Sequence, residues 1–201
     1  MPLNDPPEPS TYPPSQTALI LIDYYESIIE KLEEDDDDYD FVDEAESLLR
    51  AARFKNVAIL HCLESHPGSS PSPVAEYKSL APNTKNTERE TVHTRPPDRL
   101  SVLDDEGVTR LLDTLGVRSL IIAGTGTSGA VLSTALHGVE LGFVVSVVGK
   151  ACWDKDYSAH KDAMKKIDEA STYDISVDFA EGYLTGGDRD GLAYAVLKNR
   201  L

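Results

Sequence analysis

The chain has 201 residues, about 40% of them hydrophobic, which is enough for one domain with a substantial core. Its formal net charge is −16, and it has no apolar run of the 18 or so residues a membrane helix needs, so we expect neither nucleic acid nor a membrane as a partner. Two cysteines and a polar, proline-rich start without signal-peptide features indicate a cytoplasmic protein without a disulfide scaffold.

Residues 1–16 read as a flexible N-terminal arm, and residues 17–201 as a single domain. The apolar run ALILI at 18–22 predicts a strand covered on both faces, followed by a helical stretch. The acidic run EEDDDDYD at 33–40 is typical of a solvated loop or helix end. It lacks the glycine and the alternation of a calcium-binding loop.

The rest of the chain alternates between apolar strands and amphipathic helices. Helices are predicted over 42–53, 105–115, 127–141 and 158–170, and strands over 57–60, 119–123, 143–148 and 174–177. Gly116 and Gly142 stand where they would end two of the helices. A long excursion rich in Ser, Pro, Asn and Thr occupies 65–89. The alternation predicts a three-layer, doubly wound parallel sheet of about five to six strands.

Ligands bind such sheets beyond the carboxyl ends of the strands. The polar and glycine-rich residues predicted at those ends should therefore face one pocket. They are Asp23, His61, Cys62, Glu64, the segment 93–99, the turn 124–130 and the segment 150–153.

The turn after the strand 119–123 has the spacing Gly124-x-Gly126-x-x-Gly129, which admits two interpretations. A dinucleotide fingerprint would open the first strand–helix unit and would be followed by an acidic residue after the next strand. Here the turn lies more than a hundred residues into the chain, and the next strand is followed by Lys150. A catalytic elbow therefore fits better.

Three segments resemble the isochorismatase-like hydrolases, a superfamily that includes nicotinamidases and N-carbamoylsarcosine amidohydrolases. They are ALILID (18–23), LIIAGTGTSGAVLSTA (120–135) and FVVSVVGKACWDKD (143–156), and the resemblance covers about 17–178. It implies a hydrolase or lyase acting on a small molecule. It also implies a homodimer or homotetramer, in which neighbouring chains approach the pocket.

The family triad is an Asp, a Lys and a Cys. Asp23 matches the first, Ala130 stands at the cysteine position, and the lysine position falls near Pro97, between Arg95 and Arg99. Alanine has no lone pair for nucleophilic attack. Either the absence is natural, as in isochorismatases that use the Asp as a proton donor, or the chain is a Cys→Ala variant. A non-catalytic relative that binds a small molecule or a protein is the other alternative.

The resemblance and the strand ends together indicate the remaining site residues. Asp23 serves as general acid or base, since burial raises the pKa of a carboxyl while an arginine partner lowers it. The five backbone N–H groups of residues 126–130 open a helix and would bind a developing negative charge. Thr125, Gly126 and Gly129 are predicted to contact the substrate, and Ala130 stands at the position of the family nucleophile. By resemblance, the Thr125–Gly126 bond would be cis. Thr127 and Ser128 are predicted to be structural caps.

Tyr24, Tyr25 and Trp153 could wall the pocket or simply pack, and His61 could line the pocket or be a core histidine. Glu64-Ser65-His66-Pro67 resembles part of the nicotinamidase metal site, but two ligands rarely hold a divalent ion. We therefore predict no metal and no cofactor.

Overall fold

The computed structural model describes residues 12–35, 40–65, 79–83, 85, 88–170 and 173–174. Six parallel strands form one sheet over these residues, in the order β3-β2-β1-β4-β5-β6. In chain order the strands are β1 (Thr17–Ile22), β2 (Ala58–Glu64), β3 (Glu90–Arg95), β4 (Ser119–Gly124), β5 (Val144–Val147) and β6 (Tyr173–Asp174).

Five α-helices connect these strands. They are α1 (Glu26–Asp35), α2 (Asp40–Phe54), α3 (Glu106–Thr114), α4 (Leu132–Glu140) and α5 (Tyr157–Glu169). The strand order runs outwards in both directions from the β1/β4 pair. Right-handed crossovers therefore place α1 and α2 on one face and α3 to α5 on the other. This confirms the predicted three-layer, doubly wound fold.

The centre of the sheet is fully buried. Every residue of β1 and β4 is buried, as expected for strands that have helices on both faces. The two strands approach most closely at Gly124, where a Cβ would lie 2.5 Å from the carbonyl oxygen of Ile22. Only glycine fits at that contact, so Gly124 fixes the distance between the strands just below the site.

The structure corrects one strand boundary and adds one strand that was not predicted. The strand predicted to end at Leu60 continues to Glu64, because β3 pairs with it along its whole length. β3 itself was not predicted, since its sequence ETVHTR holds one aliphatic residue and forms the edge of the described sheet. Gly116 and Gly142 follow the ends of two helices, as predicted, and their φ values of 68° and 84° are those of left-handed C-terminal caps.

Parts of the other predictions lie outside the described residues. Of the arm, residues 1–11 lie outside, while Pro14–Gln16 form a 3₁₀ turn whose Gln16 carbonyl accepts from Arg118 N at 2.8 Å. Residues 36–39 of the acidic run, most of the 65–89 excursion including His66, and residues 175–177 of the last predicted strand also lie outside. No helix in the described part of the chain is long and apolar enough to cross a membrane.

Candidate active site

The candidate site lies where the strand order reverses, between the carboxyl ends of β1 and β4. Asp23 follows β1 and Thr125 follows β4. The Thr125 hydroxyl donates to the Asp23 carbonyl at 2.6 Å, and Thr125 N donates to the Ile22 carbonyl at 2.9 Å. This reversal opens the crevice in which doubly wound sheets bind their ligands.

Asp23 has a φ of 58°, the left-handed conformation that Asp and Asn adopt more readily than other non-glycine residues. Its Oδ1 accepts hydrogen bonds from Glu64 N and from the Tyr25 hydroxyl, both at 2.9 Å. Its Oδ2 accepts from Arg95 Nη2. Each carboxylate oxygen can accept about two hydrogen bonds, so Oδ1 is saturated while Oδ2 keeps one free acceptor position.

Burial raises the pKa of the Asp23 carboxyl above its ordinary value, and the opposing Arg95 charge with the Tyr25 and Glu64 hydrogen bonds only partly offsets this. Burial, followed by the Asp23 charge, likewise raises the pKa of the Tyr25 hydroxyl. Tyr25 therefore stays protonated and acts as a donor. The sequence left open whether burial or arginine dominates at Asp23; here burial dominates.

The structure distinguishes the two candidate arginines. Arg95 ends β3 opposite Glu64, and its buried guanidinium contacts Asp23, Glu64 Oε2 and the Arg99 carbonyl. The Arg99 side chain instead donates to the Asp104 carbonyl at 3.2 Å. Of the two arginines, Arg95 thus pairs with Asp23, and the Arg99 side chain turns towards the start of α3.

The glycine turn begins with Gly126 in the left-handed region, at a φ of 72°. A π-helical turn over Thr127–Val131 then leads into α4, and it contains the buried Ala130. Such turns occur frequently at functional sites. No cis peptide bond occurs among the described residues, so the cis Thr125–Gly126 bond that the resemblance implied is not found.

Three of the five candidate N–H groups in the turn already donate within the protein. Thr127 N donates to the Trp153 carbonyl, Ser128 N to Asp154 Oδ2, and Gly129 N to the Gly126 carbonyl. The N–H groups of Gly126 and Ala130 are therefore the candidates for binding a developing charge.

Sequence reasoning missed the side chains that hold the turn from the β5 side. Asp154 Oδ2 accepts from Ser128 N at 2.8 Å and from the Ser128 hydroxyl at 2.7 Å. His160 Nδ1 lies 3.0 Å from Thr127 Oγ1. Burial opposes ionisation of Asp154, but the Ser128 hydrogen bonds keep its pKa below the ordinary value. The only signal in the sequence was the position of Asp154 one residue after Trp153.

Trp153 lies beside the turn, as expected. Its backbone bridges to Thr125, and its half-buried ring stacks on Phe41 with a centroid distance of 6.2 Å. Tyr24 is different: its side chain is fully buried, stacks on Phe41 and donates to the Ala151 carbonyl. A side chain with no exposed surface cannot wall an open pocket, so Tyr24 packs beneath the site.

His61 also lies in the core, which was the second of its two predicted alternatives. Its Nε2 is 3.0 Å from Glu90 Oε1, and both side chains are fully buried. Cys62 and Cys152 are buried, and neither forms a disulfide. No group of three potential metal-binding His, Cys, Asp or Glu side chains occurs in the described ranges.

The contacts of Tyr25 and Glu64 with Asp23 were not predicted from the sequence. Tyr25 was considered as an aromatic wall and Glu64 as a metal ligand, whereas both contact Asp23, and Glu64 also pairs with Arg95. The position of Glu64 at the end of β2 was the available signal for this role.

The family model described as the isochorismatase domain matches residues 17–178. The chain belongs to the isochorismatase family. The fold is thus that of an isochorismatase-like hydrolase domain. No curated protein sequence matches the chain.

Solved structures resemble this isochorismatase-family chain over most of its length. A cysteine hydrolase from Pseudomonas syringae pv. phaseolicola has a TM-score of 0.76 at 16% identity, covering 92% of this chain and 99% of its own. The MAR1 ribonuclease from Caenorhabditis elegans has a TM-score of 0.70 at 18% identity, covering 92% of each chain. The YcaC gene product from Escherichia coli, an octameric hydrolase of unknown specificity, has a TM-score of 0.67 at 19% identity, covering 91% and 87%. At these identities the likeness shows the shared fold.

Proposed function

We propose that this chain is a small-molecule hydrolase in which Asp23 is the general base and no cysteine nucleophile takes part. The observation that carries the proposal is the buried Asp23–Arg95 pair at the carboxyl ends of β1 and β3. A charged pair hidden from water at this edge of the sheet is costly to build, and perturbed carboxyl groups concentrate at functional sites.

Although burial raises the pKa of Asp23, its hydrogen-bond donors suit a base, and a carboxylate of raised pKa accepts a proton more strongly. Tyr25, Glu64 N and Arg95 all donate to the carboxylate, so the ionised form is the one they stabilise. The free acceptor position on Oδ2 is where a water molecule can donate its proton. The base removes that proton as the water oxygen bonds to the substrate's carbonyl carbon.

The backbone N–H groups of the turn supply the partial positive charge that a developing oxyanion needs. As the carbonyl oxygen becomes negative, the N–H groups of Gly126 and Ala130, at the start of the helical segment, stabilise it. Collapse of the tetrahedral intermediate then expels the leaving group, which takes the proton back from Asp23. Arg95 stays charged throughout and orients the Asp23 carboxylate.

Ala130 occupies the position where the resemblance locates the family cysteine. A methyl group is smaller than a CH₂–SH group and carries no nucleophile, so another group has to attack the substrate. We therefore propose that water takes the role of the thiolate, and that Ala130 is the natural residue.

Asp23→Asn tests the proposal, because the amide keeps the shape of the side chain but cannot accept the proton. The wild-type chain and the variant are incubated with a metabolite extract, and consumed compounds are identified by mass spectrometry. We expect at least one compound to be consumed by the wild type and its turnover to fall roughly 10²–10⁴-fold in Asp23→Asn. Asp113→Asn, which changes an exposed carboxylate on α3, serves as the control.

Two results would contradict the proposal. One is turnover by Asp23→Asn at the wild-type rate. The other is consumption of no compound by the wild type in an extract that retains small amides and esters, which would favour a non-catalytic relative that only binds its ligand.

We further propose that the chain assembles into a homo-oligomer. One structural neighbour is an octamer. The described surface also exposes large apolar side chains, with Phe54 at 77% and Tyr157 at 71% of their full accessibility. The charge of −16 is consistent with a small molecule rather than a nucleic acid as the substrate.

A further inference from the structure

The three charged side chains of the site differ in their exposure to solvent. The Glu64 side chain is 30% exposed, whereas Asp23 is 11% and Arg95 only 5% exposed. Two carboxylates share one guanidinium, so the cluster carries a net negative charge. A ligand that enters meets the carboxylate of Glu64 before it meets the guanidinium of Arg95.

Most N–H groups of the Arg95 guanidinium already donate hydrogen bonds within the protein, so few can bind an anion. Arg95 Nη1 donates to Glu64 Oε2 at 3.0 Å and to the Arg99 carbonyl at 3.1 Å, and Nη2 donates to Asp23. A substrate carboxylate binds arginine best through two parallel hydrogen bonds, and the end of the guanidinium formed by Nη1 and Nη2 already holds Glu64 and Asp23. Glu64 therefore occupies the place that a substrate carboxylate would take.

Two of the five N–H groups of the arginine remain, one on Nε and the second one on Nη2. Arg95 Nε is buried and has no hydrogen-bond partner among the described residues. A buried N–H without a partner is costly, and a bound acceptor would remove that cost. Because two carboxylates already lie against this guanidinium, a neutral acceptor suits the remaining N–H groups better than a third carboxylate.

We propose that the substrate is a cationic carbonyl compound, such as an amide that carries an ammonium group, and that Glu64 is the residue that selects it. The reacting carbonyl oxygen accepts from the N–H groups of Gly126 and Ala130, as in the proposed function, and the cationic group lies against Glu64, the most exposed of the three charged side chains. This inference rests on the proposed site at Asp23. The net charge of the whole chain, −16, favours the approach of cations as well.

Three small primary amides of different charge test the proposal: glycinamide as the cation, propionamide as the neutral compound and malonamate as the anion. Their binding is measured by ligand-observed NMR titration near pH 6, where the amino group of glycinamide is protonated. We expect glycinamide to bind wild-type protein about fivefold more tightly than propionamide, as a partly exposed charge pair provides, and malonamate to bind most weakly.

Glu64→Gln should remove the preference for glycinamide and strengthen the binding of malonamate. Glu140→Gln, an exposed site at the end of α4, makes the same change in total charge and should keep the wild-type order. Equal effects of the two variants would overturn the assignment to Glu64. So would tighter binding of malonamate than of glycinamide to the wild type, or no detectable binding of glycinamide.

Binding is read without turnover, so this test is separate from that of the proposed function. If Asp23→Asn proves fully active while the charge preference is found, the ligand class stands and the role of Asp23 as base fails. If Asp23→Asn is inactive and the preference is absent, the catalytic proposal stands and the ligand class fails.

Discussion

Asp23 combines two unfavourable features in one residue. Its carboxylate is buried, and its backbone adopts a left-handed conformation. Each feature costs free energy, and they persist because Tyr25, Glu64 and Arg95 hold the carboxylate in place. Residues under this kind of constraint concentrate at functional sites, and this supports the role proposed for Asp23.

Glu90 is a second buried carboxylate among the described residues, with a fully buried side chain, and its role is structural. Burial alone would raise the pKa of its carboxyl, but hydrogen bonds from His61, Arg53 and Asn83 N, with the Arg53 charge, lower that pKa from 4.5 to about 2. The contacts join α2, β2 and the segment before β3.

A group whose pKa is lowered on folding stabilises the protein above its unfolded pKa and loses that effect as the pH falls. We therefore expect Glu90 to contribute fully above about pH 4.5 and to lose roughly 3 kcal/mol of stabilisation as the pH falls towards 2. Urea unfolding from pH 6 to pH 3 measures this. Glu90→Gln should be less stable at pH 6 and should lose less on acidification.

Glu140→Gln, at an exposed position, is the matched control and should follow the wild type at every pH. If the unfolding free energy of Glu90→Gln falls with pH as steeply as that of the wild type, the assignment of this acid dependence to Glu90 is wrong.

At the scale of elements, the π-helical turn over Thr127–Val131 lies in the segment whose sequence most specifically resembles the isochorismatase-like hydrolases. A cysteine placed at 130 would lie at the start of a helical segment, where the macrodipole lowers a thiol pKa. Ala130→Cys should therefore react with iodoacetamide faster than the buried Cys62 and Cys152. Alkylation followed by peptide mass spectrometry measures each site separately.

Ala135→Cys, a buried position farther along α4, controls for the addition of a thiol to this region. If the cysteine at 130 reacts no faster than the one at 135, the interpretation of the turn as a catalytic elbow is contradicted.

The strands show which elements can be predicted from sequence. β1 and β4 are buried on both faces, so each appears as an unbroken apolar run, and their carboxyl ends locate Asp23 and the turn directly. β3 is an edge strand of mostly polar residues, and its pairing with β2 is a long-range event. The arginine partner therefore stayed ambiguous between Arg95 and Arg99, and the role of Glu64 was missed.

At the scale of the whole molecule, the exposed apolar residues predict association. Light scattering at micromolar concentration should give a mass of at least twice that of one chain. A charge of −16 per chain opposes association, so the mass should not fall when salt is raised to screen that charge. A strict monomer at both low and high salt would contradict the proposed homo-oligomer.

The hydrogen bond from Thr125 to the Asp23 carbonyl joins positions 102 residues apart, and Arg95 reaches Asp23 across 72. On the ribosome, β1 cannot acquire its β4 neighbour until the chain has been extended to β4, about a hundred residues later. The Asp23 cluster and its contact with Thr125 are therefore completed only after the first four strands have all been synthesised. A chain that terminates before β4 presents an unpaired apolar strand, which invites aggregation and proteolysis instead of yielding a weakened enzyme.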